Sequence, residues 1–276
     1  RSPSRGLGDV YKRQELNKNN FFTDVSNYLS YETGQPTHCY DANLIKGKLL
    51  FQEVNEDKEF ETLLENKIKL SGKNSVFSLN NEVINLAGVI GSKSTSCSKE
   101  TKTVIVECAF FQPEAIIGKS VKYDIQSEAS HKFERGVDPE CHDFVLRRFI
   151  KLVSEHANIK TMSIVSYNYI DNPIHQIPVN IHKINQIIGI EISESDFLNY
   201  LTKLRFVIKE GFIIVPSFRS DIRTQNDLAE EVARVIGYDS IPRLEISIPK
   251  SEKPNYKDVE NKLRYFLLDH GFYEVI

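Results

Sequence analysis

The sequence lacks any apolar run near the ~20 residues that a membrane-spanning helix requires, which excludes a helical membrane protein. It also lacks a basic excess. At a formal net charge of -3, a surface that binds nucleic acid mainly by neutralising phosphates is excluded, while local RNA contacts within a larger assembly are not. Cysteine is scarce: Cys39, Cys97, Cys108 and Cys141 are unevenly spaced, with no CxxC pair and no Cys/His zinc spacing. That pattern excludes a zinc module and fits structural thiols in a reduced, cytoplasmic compartment. The opening stretch RSPSRGLGDVYKRQ has no initiator Met and no apolar signal core, so residues 1–20 read as an appended or disordered leader. What is present is ordinary globular composition, 40% hydrophobic and 26% charged over 276 residues, long enough for two domains.

The densest chemistry lies in VPSFRSDIRTQNDLAEEVARVIGYD. Leu228, Val232, Val235 and Ile236 recur at i, i+4, i+7 and i+8, an apolar helical stripe, with Asp227, Glu230, Glu231 and Arg234 on the other face. Asn226 is the expected N-cap and Gly237 the expected stop. Two readings of the acids stand side by side. Carboxylates at a helix N-terminus complement its dipole, and Glu230 can pair with Arg234 one turn on. Alternatively, Asp227 and Glu231 repel each other at i, i+4, Asp221 adds a further charge, and a hard divalent cation would relieve the conflict.

Taken in order, residues 21–170 mix strands and helices. Lys48 to Val54 reads as a strand, and Val76 to Ile84 as two short strands turned at Asn80 and Asn81. NLAGVIGSKSTSCS, with Gly88 and Gly91, lets backbone approach a ligand closely but lacks phosphate-loop spacing, and is equally read as a connector. Thr103 to Phe111 is an apolar strand interrupted by Glu107, an acid that is costly there unless it faces out or is paired. SEASHKFERGVDP reads as a polar loop holding His131, Glu134 and Arg135. Asp138 as N-cap and Pro139 at the first helical position start a helix with a Val145, Phe149, Leu152 and Val153 stripe. Gly34 and Pro36 mark a turn just before His38.

A break at Asn172 and Pro173 opens a compact helix, helix, hairpin, helix unit over 172–245. Ser193 and Asp196 form a capping box for the helix carrying Phe197, Leu198, Leu201 and Leu204. The hairpin runs Phe206 to Lys209 and Phe212 to Val215, turned at Glu210 and Gly211. Beyond it, residues 246–276 read as a linker, an amphipathic helix bearing Val259, Leu263, Phe266 and Leu267, a turn at Gly271 and the start of a strand, a piece of something longer. The fold class expected is α+β: a mixed α/β domain followed by a small winged-helix-like α+β domain.

Five motifs in order, GQPTHCYD, LAGVIGS, VECAFF, SEASHKFERGVDP and VPSFRSDIRTQNDLAEEVARVIGYD, closely resemble the beta subunit of bacterial-type phenylalanyl-tRNA synthetase. The likeness covers about residues 22–276. It implies that 21–170 is the editing domain, which hydrolyses tyrosine wrongly attached to tRNA(Phe), that 172–245 is the small metal-associated domain, and that 246–276 opens the catalytic-like core. A second site of this kind reads the added hydroxyl that an apolar synthetic pocket rejects poorly. By the resemblance, Glu107 accepts the tyrosyl hydroxyl and His38 sits near the ester and the attacking water. Gly91 and Ala129 line the pocket, and Ser26 and Ser127 stand where the family usually has threonine. GQPTHCYD departs from the usual GQPLHAFD, and LAGVIGS from LAGVMGG. Asp221, Asp227, Glu230 and Glu231 match positions that bind Mg2+ in a site shared with the alpha subunit, in a heterotetramer of two alpha and two beta chains. ATP is used by the complete enzyme rather than bound here, because the synthetic active site belongs to the alpha subunit. The other reading is a non-catalytic module that binds tRNA and the alpha subunit.

Overall fold

The computed structural model describes residues 19–168, 174–243 and 256–275. The leader expected over residues 1–20 and the linker at the start of 246–276 lie largely outside these, as do Asn172 and Pro173. The fold is α+β as expected, with strands β1 to β8 in the first part and a small three-stranded sheet in the second.

The chain enters through helix α1 (Phe21–Thr33), capped by Asn20, whose side chain accepts from the Thr23 amide, and ended by Gly34 in the left-handed region at φ 79°. Only a residue without Cβ turns there at little cost. Buried Gln35 then donates from Nε2 to the carbonyls of Pro36 (2.9 Å) and Ala109 (2.8 Å). The turn is thereby tied to the end of a strand 74 residues away, and the chain is aimed into β1 (Thr37–Asp41).

Strands β2 (Leu49–Val54), β3 (Lys58–Glu61), β4 (Lys67–Leu70), β5 (Asn74–Leu79), β6 (Glu82–Leu86), β7 (Ile90–Gly91) and β8 (Val104–Cys108) follow. The sheet order is β2-β5-β6-β7, with β1-β8 and β3-β4 as separate antiparallel pairs. The β5–β6 turn falls at Asn80 and Asn81, both at positive φ, as their type allows. Short helices α2 (Pro113–Ile116) and α3 (Lys119–Tyr123) lead to α4 (Glu128–Arg135) and α5 (His142–Ser154).

Two of these depart from expectation. SEASHKFERG is not a polar loop but helix α4, because Ser127 caps it and Ser130 and Phe133 give it a buried side. The next helix begins three residues after Pro139, with Cys141 as N-cap, since the Asp138 carboxylate accepts from the Glu140 amide in a turn of its own. Its stripe of Val145, Phe149, Leu152 and Val153 is buried as the spacing requires, against Val25 and Leu29 of α1 and Cys39 of β1.

In the second part, β9 (Gln176–Pro178) precedes α6 (Ile181–Ile188), α7 (Glu194–Lys203), β10 (Val207–Lys209), β11 (Phe212–Ile214) and α8 (Gln225–Ile236). The hairpin turns at Glu210 (φ 53°) and Gly211 (φ 80°). It gains a third strand that the pattern did not reveal, β9 pairing with β11. Ser193 caps α7 through the Asp196 amide and donates its hydroxyl to the Asp196 carboxylate. One core joins Ile184, Phe197, Leu201, Phe206, Ile213, Leu228 and Val232. Last comes α9 (Tyr256–Asp269), whose Val259, Leu263, Phe266 and Leu267 are exposed; residues 272–275 are not a strand.

Candidate functional site

Strand alternation decides which way β1 and β8 present their side chains. Successive residues point to opposite faces, and directly opposed residues share a face. Cys39 opposes Val106 and both turn toward the helical core. His38 therefore opposes Glu107 on the other face, with Tyr40 beside it. The acid interrupting an apolar strand faces away from the helices and is half-buried beside Asn85 of β6.

There His38, Asn85, Gly91, Glu107, Ala129 and Phe133 line one cavity of about 50 Å3, several times the roughly 10–15 Å3 one water needs. Tyr40, fully buried, donates its hydroxyl to Glu107 Oε2 at 2.7 Å and accepts from Asn85 Nδ2 at 2.8 Å. Its ring meets the His38 imidazole edge to face, centroids 4.5 Å apart. Gly91, opposed to Asn85 across β6–β7, lies flat under that imidazole. A Cβ added there would fall 2.3 Å from His38 Cε1, so only glycine admits the ring in this position.

Burial sets the electrostatics. His38 is pushed down to about 4, because its charged form is desolvated, and its Nε2 is buried without a hydrogen-bond partner among the described residues. Glu107 is pushed up to about 7, burial outweighing the bond from Tyr40. Near neutral pH the pocket thus holds a neutral imidazole and a carboxyl poised between its two states.

The two serines stand behind this lining. Ser26 on α1 bonds the Thr37 carbonyl and hydroxyl, each at 2.7 Å, and so holds β1 in place. Ser127, the α4 cap, donates to the Val89 carbonyl at 2.7 Å and fixes the loop that carries Gly91. Tyr40 and Asn85 are the functional neighbours that the pattern did not single out. Once β1 is known to be a strand, Tyr40 follows from its i+2 spacing to His38.

The acidic helix is arranged differently. Thr224, not Asn226, is the N-cap of α8, and Asp227 completes a capping box, its Oδ2 accepting from the Arg223 and Thr224 amides at 2.9 and 2.7 Å. The Thr224 backbone is extended and within reach of both Asp227 bonds, which is why the helix starts two residues early. Arg219 forks onto Asp221 (2.8 and 2.6 Å) and reaches Glu231 Oε2 at 2.8 Å, while Glu230 pairs with Arg234. The Arg219 guanidinium holds Asp221 and buried Glu231 below the usual carboxylate range, and the Arg223 amide foremost does the same for Asp227. Burial pushes the thiols of Cys39 in β1 and Cys108 in β8 far up, and those of Cys97 and Cys141 to about 11. Among the described residues, no three His, Cys, Asp or Glu side chains are grouped to hold a metal ion. The oxygen donor set suits a hard cation, but as folded each carboxylate already has a protein partner.

The chain matches the B3/4 domain over residues 5–158 and the tRNA synthetase B5 domain over 177–238. It is 31% identical to the phenylalanine–tRNA ligase beta subunit of Psychrobacter arcticus, covering 98% of this chain and 35% of that one. It is 34% identical to that of Ehrlichia canis (95% and 34% covered) and 31% identical to that of Francisella tularensis (96% and 35%). It thus spans about a third of the length of these relatives. Among solved structures, an N-terminal fragment of the phenylalanyl-tRNA synthetase beta subunit from Pyrococcus horikoshii covers 79% of this chain and 65% of that one, at 14% identity and a TM-score of 0.38, too low to bear on the site.

Proposed function

The chain belongs to the family of phenylalanine–tRNA ligase beta subunits, and we propose that its β1–β8 pocket hydrolyses tyrosyl-tRNA(Phe). The observation that carries this reading is that His38, Gly91, Glu107 and Ala129, scattered over more than ninety positions, line one cavity. Glu107 accepts the phenolic hydroxyl, which a phenylalanyl group lacks; a buried polar group left unpaired is what makes such discrimination strong. His38 is too weak a base to store a proton near neutrality, so its role is orientation. In the tautomer that leaves Nε2 unprotonated, it accepts a hydrogen bond from the attacking water. The water oxygen attacks the ester carbonyl carbon, the bond to the ribose oxygen breaks, and the water's proton ends on that oxygen. Tyrosine and uncharged tRNA are released.

The proposal includes the setting. The whole protein acts in the cytoplasm with an alpha subunit, as a heterotetramer that uses ATP to charge tRNA(Phe), and the pocket corrects its errors. The carboxylates of Asp221, Asp227, Glu230 and Glu231 do not fit Mg2+ in their present pairing. Mg2+ binding there is proposed only once Arg219 has withdrawn and the alpha subunit has added ligands, and saturable tight binding by this chain alone contradicts it.

The test of the editing reading is tyrosine release from tyrosyl-tRNA(Phe) by the complete enzyme. Glu107→Ala is expected to lose it while phenylalanylation continues; unchanged release refutes the assignment and favours the non-catalytic binding module.

A further inference from the structure

A neutral asparagine, a buried tyrosine and a half-buried carboxyl stand in a row along the pocket, and the row has a direction. Asn85 Nδ2 can only donate, so the Tyr40 oxygen accepts from it at 2.8 Å. The single hydroxyl proton of Tyr40 is then directed to Glu107 Oε2 at 2.7 Å. With Glu107 ionised, turning the amide over would present a second acceptor to a hydroxyl that has one proton to give, so the ionised pocket takes this order. The ring cannot drift: it is fully buried, edge to face with His38 and 6.4 Å from the Phe77 ring.

We infer that Tyr40 is a specificity-positioning residue of the pocket: oriented by Asn85, its hydroxyl ties one oxygen of Glu107 and leaves the other to accept a phenolic hydroxyl from the substrate. This rests on the editing reading above. Tyr40 touches neither the ester nor the water. It acts through Glu107, by fixing the carboxyl plane and by making a donor's place at Oε2 so that the group serves as an acceptor. A substrate hydroxyl then finds a ready partner, whereas a benzyl side chain leaves that acceptor unpaired. The hydroxyl is remote from the breaking bond, so the interaction is made equally in the ground and transition states and is read in KM rather than kcat.

The experiment uses the complete ligase carrying Tyr40→Phe, Glu107→Gln or both, with tyrosyl-tRNA(Phe) and phenylalanyl-tRNA(Phe) as substrates for deacylation. Tyr40→Phe keeps the ring and its packing. It is expected to raise KM for tyrosyl-tRNA(Phe) about tenfold, the loss of one charge-assisted hydrogen bond, with kcat within about twofold. Release from phenylalanyl-tRNA(Phe) stays unchanged, the melting temperature falls modestly because the buried Asn85 amide loses its acceptor, and the double variant behaves as Glu107→Gln alone. An unchanged or lower KM, or an effect that adds to that of Glu107→Gln, overturns the inference. If Glu107→Gln leaves tyrosine release untouched, the editing reading itself fails and this inference falls with it. If Glu107→Gln abolishes selectivity and Tyr40→Phe does not, only the role of Tyr40 fails.

Discussion

The β1–β8 pocket and the α8 acidic turn both gather carboxylates, and physics treats them in opposite ways. At α8 the acids lie within eleven residues of one another and each has a cation, an amide or both. The ionised forms of Asp221, Asp227 and Glu231 are favoured. In the pocket one acid, Glu107, is desolvated without a cation beside it, and its neutral form is favoured. A crowd of acids in a sequence is thus paired within the fold here, whereas the lone acid in an apolar strand is the one whose carboxyl is desolvated.

That contrast is sharpest in stability. Arg219→Ala leaves Glu231, 7% exposed, with only the 3.7 Å contact to Arg234. Removing one partner of a buried pair is expected to cost about 3 kcal/mol, read in urea unfolding. Because Asp221 and Glu231 are depressed, their contribution is present above the unfolded carboxylate range and is lost as pH falls through the folded values, so the penalty of Arg219→Ala shrinks toward acid pH. An effect under about 0.5 kcal/mol at pH 7 would mean that the network is ordinary surface pairing.

The pocket should behave in mirror image. Glu107, raised from 4.5 to about 7, contributes stability that is fully present below 4.5 and lost as pH rises through 7. His38, lowered from 6.5 to about 4, does the reverse: its neutral form is retained at no cost above 6.5, and stability is lost as pH falls toward 4. The two slopes oppose each other in the wild type. Relative to it, Glu107→Gln should gain about 2 kcal/mol between pH 4 and 7.5, and His38→Gln should lose a similar amount over the same range. Flat profiles for both variants would show that neither group is desolvated.

A smaller effect isolates the geometry from the charge. Gly91→Ala introduces a methyl 2.3 Å from His38 Cε1, and the ring must yield. The expected cost is about 1–2 kcal/mol, with the His38 imidazole resonances shifted and its pKa moved back toward 6.5 as it leaves the pocket. An undisturbed His38 spectrum would show that the glycine is not what seats the ring.

Local chemistry was legible in the sequence and long-range pairing was not. Asn80–Asn81 and Glu210–Gly211 marked their turns because positive φ restricts residue type. The stripe of α5 was visible because burial of one helical face imposes a period, whereas that of α8 holds only in part: Leu228 and Val232 are buried, but Val235 is exposed and Glu231, expected on the polar face, is buried. The third strand β9 escaped because three residues carry no period, and their partner β11 lies more than thirty residues on. Helix α4 escaped because it buries only Ser130 and Phe133 in eight residues. The cap of α8 was placed two residues late because Asn226 and Thr224 are both good caps, and only the Asp227 bonds choose between them. For the site, the resemblance named His38, Glu107, Gly91 and Ala129, but their meeting depends on the β1–β8 register, which Gln35 and Ser26 help to hold and which no local pattern encodes. Tyr40 and Asn85 follow from that register and were silent without it.

The central claim is that Glu107, unlike the acids of α8, is an acceptor kept for a ligand's hydroxyl. The most direct measurement is the affinity of the complete enzyme for non-hydrolysable tyrosyl-adenosine and phenylalanyl-adenosine ester analogues, wild type against Glu107→Ala. The account predicts a preference of about tenfold or more for the tyrosyl analogue that disappears in the variant, with phenylalanyl binding little changed. An equal preference in both proteins would contradict it.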